Sequence, residues 1–212
     1  MKVICLSGID GSGKSTHSFL LYHYFKKQGI NVKYLWLRWF AFFTYFLYFY
    51  ARILRRTIPI KHRGHIIKIH VWWTDKALRI LYPHLLLLDI SLWFMFNVAI
   101  AFFRNVKVII LDRSMLDALV DIIWEARYTK FLGSWIGHLV YNIIRSMRVI
   151  ILDANIQEIL SRKHDIISLK ELKFKRVCYT IIARYLNSPL IDTSRRSIGE
   201  VFKTIITLAE WH

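Results

Sequence analysis

The feature that most constrains this chain is a glycine-rich segment placed directly after a short apolar run. Residues 8–16 read GIDGSGKST, and residues 2–7 before them read KVICLS. The segment fits the spacing G-x-x-x-x-G-K-[S/T], in which glycines permit a tight turn whose backbone N–H groups surround a phosphate. Because a following helix directs its positive end to the same place, the pattern predicts a strand, an anion-binding loop and a helix in that order.

The residue types of this loop predict a site for ATP and Mg²⁺. The Lys14 ammonium would reach the β- and γ-phosphates, and the Ser15 hydroxyl would ligate Mg²⁺. The predicted ATP-binding residues are Gly8, Ile9, Asp10, Gly11, Ser12, Gly13, Lys14, Ser15 and Thr16.

Short apolar runs without alternation predict further buried parallel strands, with helical patterns between them. The run at residues 31–38 is more polar and is expected nearer a sheet edge. This order predicts an α/β fold: a doubly wound parallel five-stranded sheet with helices on both faces. The other predicted strands are residues 106–111, 148–152 and 189–191, and the helices include residues 15–28, 40–54, 85–103, 116–128, 169–186 and 197–208.

Composition limits the domain organisation and the cellular setting. The chain has only 8 glycines and 3 prolines in 212 residues and no repeat or low-complexity linker, so residues 1–212 are predicted to form a single domain. Residues 55–65 (RRTIPIKHRGH) are the most loop-like and basic stretch. With only Cys5 and Cys178 and no visible signal peptide, a disulfide scaffold is excluded and a cytoplasmic protein is expected.

The charge is strongly unbalanced. Lys and Arg number 31 against 14 Asp and Glu, a formal net charge of +17, which indicates a polyanionic partner such as a nucleotide, a nucleic acid or an anionic membrane. A hydrophobic fraction of 55% excludes a disordered chain. Between residues 1 and 74, Asp10 is the only acid among twelve Lys and Arg, which marks its carboxylate for a specific role.

A second group of candidate site residues follows the strand predicted at residues 106–111. An acid at the carboxyl end of a buried strand lies on the ligand side of an open α/β sheet, so Asp112 is a candidate for the Mg²⁺ shell. The adjacent Arg113 could clamp a phosphoryl group through two N–H donors. Asp153 ends a similar strand without a neighbouring arginine, and a structural role such as capping the next helix is expected for it.

Two apolar stretches raise the question of a membrane. Residues 85–103 approach the length of a membrane span but contain Asp89, Ser91 and Asn97, so a buried helix or a dimer face is favoured. Residues 40–50 (FAFFTYFLYFY) are too short to span. They fit an interface between copies first, an acceptor pocket or core second, and a membrane surface third. A homodimer is therefore expected, and peripheral membrane contact is less favoured.

Several of these segments together resemble the thymidylate kinases, within the nucleoside-monophosphate kinases. The resemblance rests on the GIDGSGKST loop, the DRS triplet at residues 112–114, the stretch LDANIQEILSRK at 152–163, Arg176 with Tyr179 in a helix, and LIDTSRRSIGEVFKTI at 190–205. It covers roughly residues 1–35 and 105–210. It implies ATP- and Mg²⁺-dependent phosphoryl transfer to a nucleoside monophosphate, with nucleotide substrates. No recognised nucleic-acid module appears in the sequence, so no specific nucleic-acid partner is expected.

The resemblance also implies roles for individual residues. Lys14, Arg113, Arg162 and Asp10 would be the catalytic residues, and Asp10, Arg38 and Arg113 would contact the acceptor. Ser15 and Asp112 would hold the metal. Because the loop carries Gly11 where some members have arginine, Arg162 or Lys163 from a short lid at about residues 161–170 would approach the γ-phosphate.

The acceptor side departs from the family pattern. Where the family reads a thymine edge with an arginine and a glutamine, an alignment on Asp89 places Ile90 and Leu92. A divergent aromatic and basic insert is expected at about residues 39–84. The best acceptor hypothesis is dTMP, giving dTDP and ADP. The alternatives are a non-nucleotide, lipophilic acceptor at a membrane surface and a nucleotide-binding module without turnover.

Overall fold

A computed structural model describes residues 1–37, 42–62, 65–162 and 168–210, with only the backbone for residues 60–62 and 65–69. Five of its strands form one sheet: Lys2–Gly8 (β1), Val32–Trp36 (β2), Val108–Asp112 (β5), Arg148–Asp153 (β6) and Leu190–Asp192 (β7). Thr57–His62 (β3) and His65–His70 (β4) form a separate pair. The α-helices among the described residues are Lys14–Lys27 (α1), Phe43–Ile53 (α2), Lys76–Phe103 (α3), Met115–Ala126 (α4), Trp135–Arg145 (α5), Ile156–Arg162 (α6), Leu169–Tyr185 (α7) and Ile198–Glu210 (α8).

The main sheet is parallel throughout, in the order β2-β5-β1-β6-β7. β1 lies at its centre, paired with β5 on one side and β6 on the other. In this register Leu6 lies opposite Asp112, and Gly8 lies opposite Leu152. The carboxyl ends of β1 and β5 therefore meet at one edge, and the predicted five-stranded α/β fold is confirmed.

Helices cover both faces of the sheet, because successive side chains of each buried strand point to opposite sides. On one face Ile4, Leu6 and Ile110 pack with Leu21 of α1 and Ile205 of α8. On the other face the cluster extends through the longer set of helices and includes Cys5, Ile109, Leu111, Leu87, Val120 and Tyr179. Burial on both faces explains why the strands read as continuous apolar runs.

The prediction of a loop at residues 55–65 is wrong, because most of that stretch belongs to an antiparallel hairpin. β3 pairs with β4 from Thr57 opposite His70 to His62 opposite His65. Isoleucines favour extended backbone, whereas the basic residues and Pro59 suggested a loop. Pro59 is tolerated because a two-stranded ribbon has only edge strands. A further helix, α5, lies where no element is predicted above.

Helix α3 packs against α2 and leads into β5. Its Asp89 side chain, 1% exposed, accepts hydrogen bonds from the backbone N–H groups of Phe42, Phe43 and Thr44 and from the Thr44 hydroxyl, at 2.7–3.0 Å. The acid that seemed costly in an apolar stretch therefore caps the first turn of α2. Within the described residues α3 alone is long and apolar enough to cross a membrane, and 39% of its most apolar stretch is buried.

Candidate functional site

The phosphate-loop segment lies where β1 ends and α1 begins, at the centre of the sheet edge. Its glycines adopt backbone angles that other residues rarely adopt, with φ of +139° at Gly8, +88° at Gly11 and +91° at Gly13. A Cβ atom at Gly8 would lie 2.0 Å from the carbonyl oxygen of Leu152, so β6 leaves no room for a side chain there. The loop therefore requires glycine for two reasons: the positive φ angles, and the close approach of β6 to Gly8.

Lys14 lies folded over this loop and is 5% exposed. Its ammonium donates to the carbonyl oxygens of Gly8 and Ile9 at 2.7 and 2.8 Å, and lies 3.4 Å from Asp10 Oδ1. Burial lowers the pKa of Lys14, and the nearby Asp10 carboxylate partly opposes that shift. The side chain is held at the centre of the loop, where a bound phosphate chain would meet its charge.

Arg113 reaches the same carboxylate from the end of β5. Its backbone has φ of +69°, a left-handed conformation that is uncommon for arginine, and its N–H donates to Leu6 O of β1 at 3.2 Å. The guanidinium donates to Asp10 Oδ1. Lys14, Asp10 and Arg113, which come from two strand ends, are therefore brought together in one charged cluster.

Asp112 lies beside this cluster and fits a metal site. It is 3% exposed, and its Oδ2 accepts a hydrogen bond from the Tyr34 hydroxyl at 2.8 Å. Its Oδ1 is buried without a hydrogen-bond partner among the described residues. An unpaired buried carboxylate oxygen is costly unless a cation or water satisfies it. Together with the exposed Ser15 hydroxyl in the first turn of α1, this donor set suits Mg²⁺, which prefers oxygen ligands.

A residue that the sequence did not single out, Asp117, organises the backbone of the site. Its carboxylate, 3% exposed, accepts from the Ser7 hydroxyl at 2.8 Å, Gly8 N at 3.3 Å, Ser114 N at 2.8 Å and the Tyr179 hydroxyl at 2.7 Å. It also completes a capping box with Ser114 at the start of α4. One buried carboxylate thus ties together β1, the segment after β5 and helix α7.

Further along α4, the same face continues the polar contacts with α7. Lys175 Nζ lies 2.6 Å from both Asp121 Oδ1 and Glu171 Oε1. Trp124 and Phe174 have ring centroids 5.3 Å apart. In the sequence these polar residues recur at intervals of four, which places them on one face of each helix. They are Asp117, Asp121 and Glu125 on α4, and Glu171, Lys175 and Tyr179 on α7.

Glu125, at the end of that series, accepts a hydrogen bond from the Tyr82 hydroxyl of α3. Burial, followed by the charge of Asp121, raises the pKa of Glu125 from 4.5 to about 7. Because the folded protein holds this proton more tightly than the unfolded chain, the stability from Glu125 is lost as pH rises from about 4.5 to 7.

We expect Glu125→Gln to remove this loss. One pKa unit corresponds to about 1.4 kcal/mol, so the charged carboxylate costs on the order of 3 kcal/mol above pH 7. The variant should melt about 6–12 °C higher than the wild type at pH 8 and near it at pH 5. Thermal melts across pH 4.5–8.5 test this, and equal melting temperatures at pH 8 would contradict it.

Arg162, predicted to approach the γ-phosphate, lies at the end of α6. Its guanidinium donates to Glu158 Oε2 at 2.7 Å and to Thr193 O at 3.2 Å. Burial and then the charge of Arg162 lower the pKa of His17 in α1, so Arg162 lies near the helix that follows the loop. Arg38, Lys163 and residues 163–167 of the predicted lid lie outside the described residues.

The Asp153 carboxylate, which was expected to cap the helix after β6, contacts α7. It accepts from Arg176 Nε at 2.9 and 3.0 Å, which joins the end of β6 to α7. The first turn of α6 is instead contacted by Asn155, whose Oδ1 accepts from Gln157 N at 3.3 Å. The capping expectation for Asp153 is therefore wrong, because its side chain faces α7.

Comparison with known proteins agrees with this architecture. No family model matches the chain, and no curated protein sequence matches it. Among solved structures, it is similar to the thymidylate kinase from Ehrlichia chaffeensis, with a TM-score of 0.55 and 17% sequence identity over 98% of this chain and 97% of that one. At this identity the likeness shows the fold: the chain has the parallel five-stranded P-loop kinase architecture over nearly its whole length.

Proposed function

We propose that this protein transfers the γ-phosphoryl group of ATP to a phosphate-bearing acceptor, a nucleoside monophosphate, with dTMP as the first candidate. The observation that carries the proposal is the cluster in which Lys14 and Arg113 both contact Asp10 Oδ1. Lys14 belongs to the phosphate loop, and Arg113 comes from the neighbouring strand. Two cations from separate elements converge where a donor and an acceptor phosphate would have to meet.

Each residue would have a defined part in the transfer. An oxygen of the acceptor phosphate attacks the γ-phosphorus, the bond to the β-phosphate oxygen breaks, and ADP leaves. The acceptor oxygen is already anionic, so no general base is required. Lys14 would stabilise charge on the transferring group, and Arg113 would hold the acceptor phosphate in line. Asp10 would keep both cations in position and face the acceptor sugar.

The metal would be held by Ser15 and Asp112. When bound, Mg²⁺ neutralises charge on the phosphates. Tyr34 orients Asp112 through its hydrogen bond to Oδ2, which leaves Oδ1 available on the same carboxylate. Arg162 is the candidate from the lid for the γ-phosphate, which requires it to exchange its contacts with Glu158 and Thr193.

The direct test is ADP release with dTMP, dUMP, dCMP, UMP and AMP as acceptors. We expect at least one of them to stimulate Mg²⁺-dependent ADP release above the rate with ATP alone. ATP binding is checked separately by its effect on the melting temperature. If ATP binds and none of the five acceptors stimulates turnover, the nucleoside-monophosphate proposal fails.

Arg113→Met tests the acceptor role. Loss of charged hydrogen bonds worth about 1.5–3 kcal/mol should lower kcat/KM for the acceptor roughly 10²-fold, with the ATP-induced melting shift retained. The matched control is Arg184→Met, because Arg184 is exposed on α7. An unchanged kcat/KM in the Arg113 variant would remove this residue from the acceptor site.

A second candidate acceptor lacks a nucleobase and is apolar. Ile90 is 3% exposed and Leu92 is 49% exposed, and neither offers a hydrogen-bonding group where the resemblance implies base readout. A site without such groups cannot select a base by hydrogen bonding. ADP release with lipid phosphates in detergent micelles tests this candidate, and no stimulation would exclude it.

A further inference from the structure

Helix α2 exposes an unusual row of aromatic side chains. Thr44, Leu47 and Ala51 of this helix are buried, and Tyr48 packs partly buried against Trp72. The other large side chains of the helix point to solvent, with Phe46 66% exposed. We call the exposed set the α2 aromatic face: Phe42, Phe43, Tyr45, Phe46, Phe49, Tyr50 and Ile53. The second alternative for this run, burial in the core, is therefore wrong for these residues.

Helix α3 extends the same apolar surface. Its inner side packs into the core through Leu87, Ile90 and Phe94, whereas its outer side remains exposed. A groove of about 420 Å³ between the two helices joins the surfaces, and its lining includes Phe43 and Trp93. The exposed large side chains in the second half of α3 are Leu92, Met95, Phe96, Phe102 and Phe103.

Exposed arginines flank this surface. Arg52, Arg55 and Arg56 lie exposed at the end of α2, and Arg104 lies exposed just after α3. Within the described ranges none of these four arginines has an ion pair. From residue 11 to residue 74 the sequence has no Asp or Glu. The acid nearest the groove, Asp89, is buried and capping α2.

We propose that the α2 aromatic face and the outer side of α3 bind the surface of an anionic lipid bilayer. Aromatic rings beside a cationic rim match the apolar boundary and the negative headgroups of such a surface. A second copy of the chain would bring cationic rims together, and each copy carries a net charge of +17. The inference goes beyond the proposed reaction and requires no particular acceptor.

The protein would lie on the bilayer without crossing it. Asp89, Ser91 and Asn97 of α3 are buried within the protein, and the inner side of the helix packs on the core. Removing α3 into lipid would expose these polar groups and the core together. Tyr45 and Tyr50 place hydroxyl groups among the phenylalanines, which suits the headgroup level of a membrane.

Vesicle flotation tests the proposal with full-length protein. Phosphatidylcholine vesicles are compared with vesicles containing about 30% phosphatidylglycerol, in low and high salt. We expect flotation with the anionic vesicles and at least tenfold weaker binding to the neutral ones. Phe46→Ser combined with Phe49→Ser should reduce binding at least tenfold, and so should Arg52→Gln, Arg55→Gln and Arg56→Gln combined. Melting temperatures near wild type show that the variants fold.

The matched control is Phe19→Ser, because Phe19 is 56% exposed on α1, a helix on the opposite face of the sheet. It should float like the wild type. Three results would overturn the proposal: no flotation with anionic vesicles, flotation unaffected by the Phe46 and Phe49 changes, or a dimer that these changes convert to a monomer without lipid binding. The last would assign the surface to a second copy.

Discussion

Replacing Lys14 with alanine is expected to reduce acceptor-dependent ADP release by about 10²–10³-fold. The ammonium lies at the centre of the loop, bonded to the carbonyl oxygens of Gly8 and Ile9 and close to Asp10. Its loss removes a buried cation from the place where charge develops on the transferring phosphoryl group. The measurement is steady-state ADP release at saturating ATP, with whichever acceptor supports turnover.

The matched control for this change is Lys27→Ala, which removes an exposed lysine from the last turn of the same helix. It should retain nearly full activity. If Lys14→Ala retains activity close to wild type, Lys14 does not act in transfer, and the kinase proposal loses its central residue. A variant that neither binds ATP nor melts cooperatively would have lost its fold, and Lys14→Arg then separates charge from position.

Asp117→Ala is expected to destabilise the protein by on the order of 3 kcal/mol. The change deprives four donors of their acceptor: the Ser7 hydroxyl, Gly8 N, Ser114 N and the Tyr179 hydroxyl. Each buried donor left unsatisfied costs about 1–3 kcal/mol, although hydroxyl groups can turn to other partners. A lowering of the melting temperature by about 6–12 °C should follow.

Tyr179→Phe provides the graded comparison, because it removes only one of those four donors. It should cost about 1 kcal/mol, well below the loss for Asp117→Ala. Equal losses for the two variants would show that the carboxylate does not organise the loop, the end of β5 and α7 together. Asp117→Ala should also lower acceptor-dependent ADP release by more than its loss of stability alone explains, because the backbones of Gly8 and Ser114 would both lose support.

The parts of the candidate site differ in how many separate segments of the chain they require. Its phosphate loop is contiguous, so glycine spacing, Lys14 and Ser15 were all visible in one stretch. Asp112 and Arg113 were also predictable, because parallel strands end at one sheet edge and the strand before them is unambiguous. Asp117 was not singled out, since its partners come from β1, the segment after β5 and α7, and no local pattern shows that these meet.

The segment between β2 and α3 shows the same division on a larger scale. Its hairpin was missed because the alternation of a two-stranded ribbon is short and interrupted by basic residues. Its aromatic run has an apolar composition that fits an interface, burial or a membrane, and only packing decides which side chains remain exposed.

By itself the sequence determined the five strands of the main sheet, the phosphate loop, and Asp112 and Arg113 at the end of β5, because each depends on backbone conformation within a few neighbouring residues. The tertiary structure alone decided that Asp10 holds Lys14 and Arg113 together, that Asp117 ties three segments, and that the aromatic residues of α2 face outward. Those features arise from contacts between residues far apart in the chain, whose positions follow from how the helices pack on the sheet.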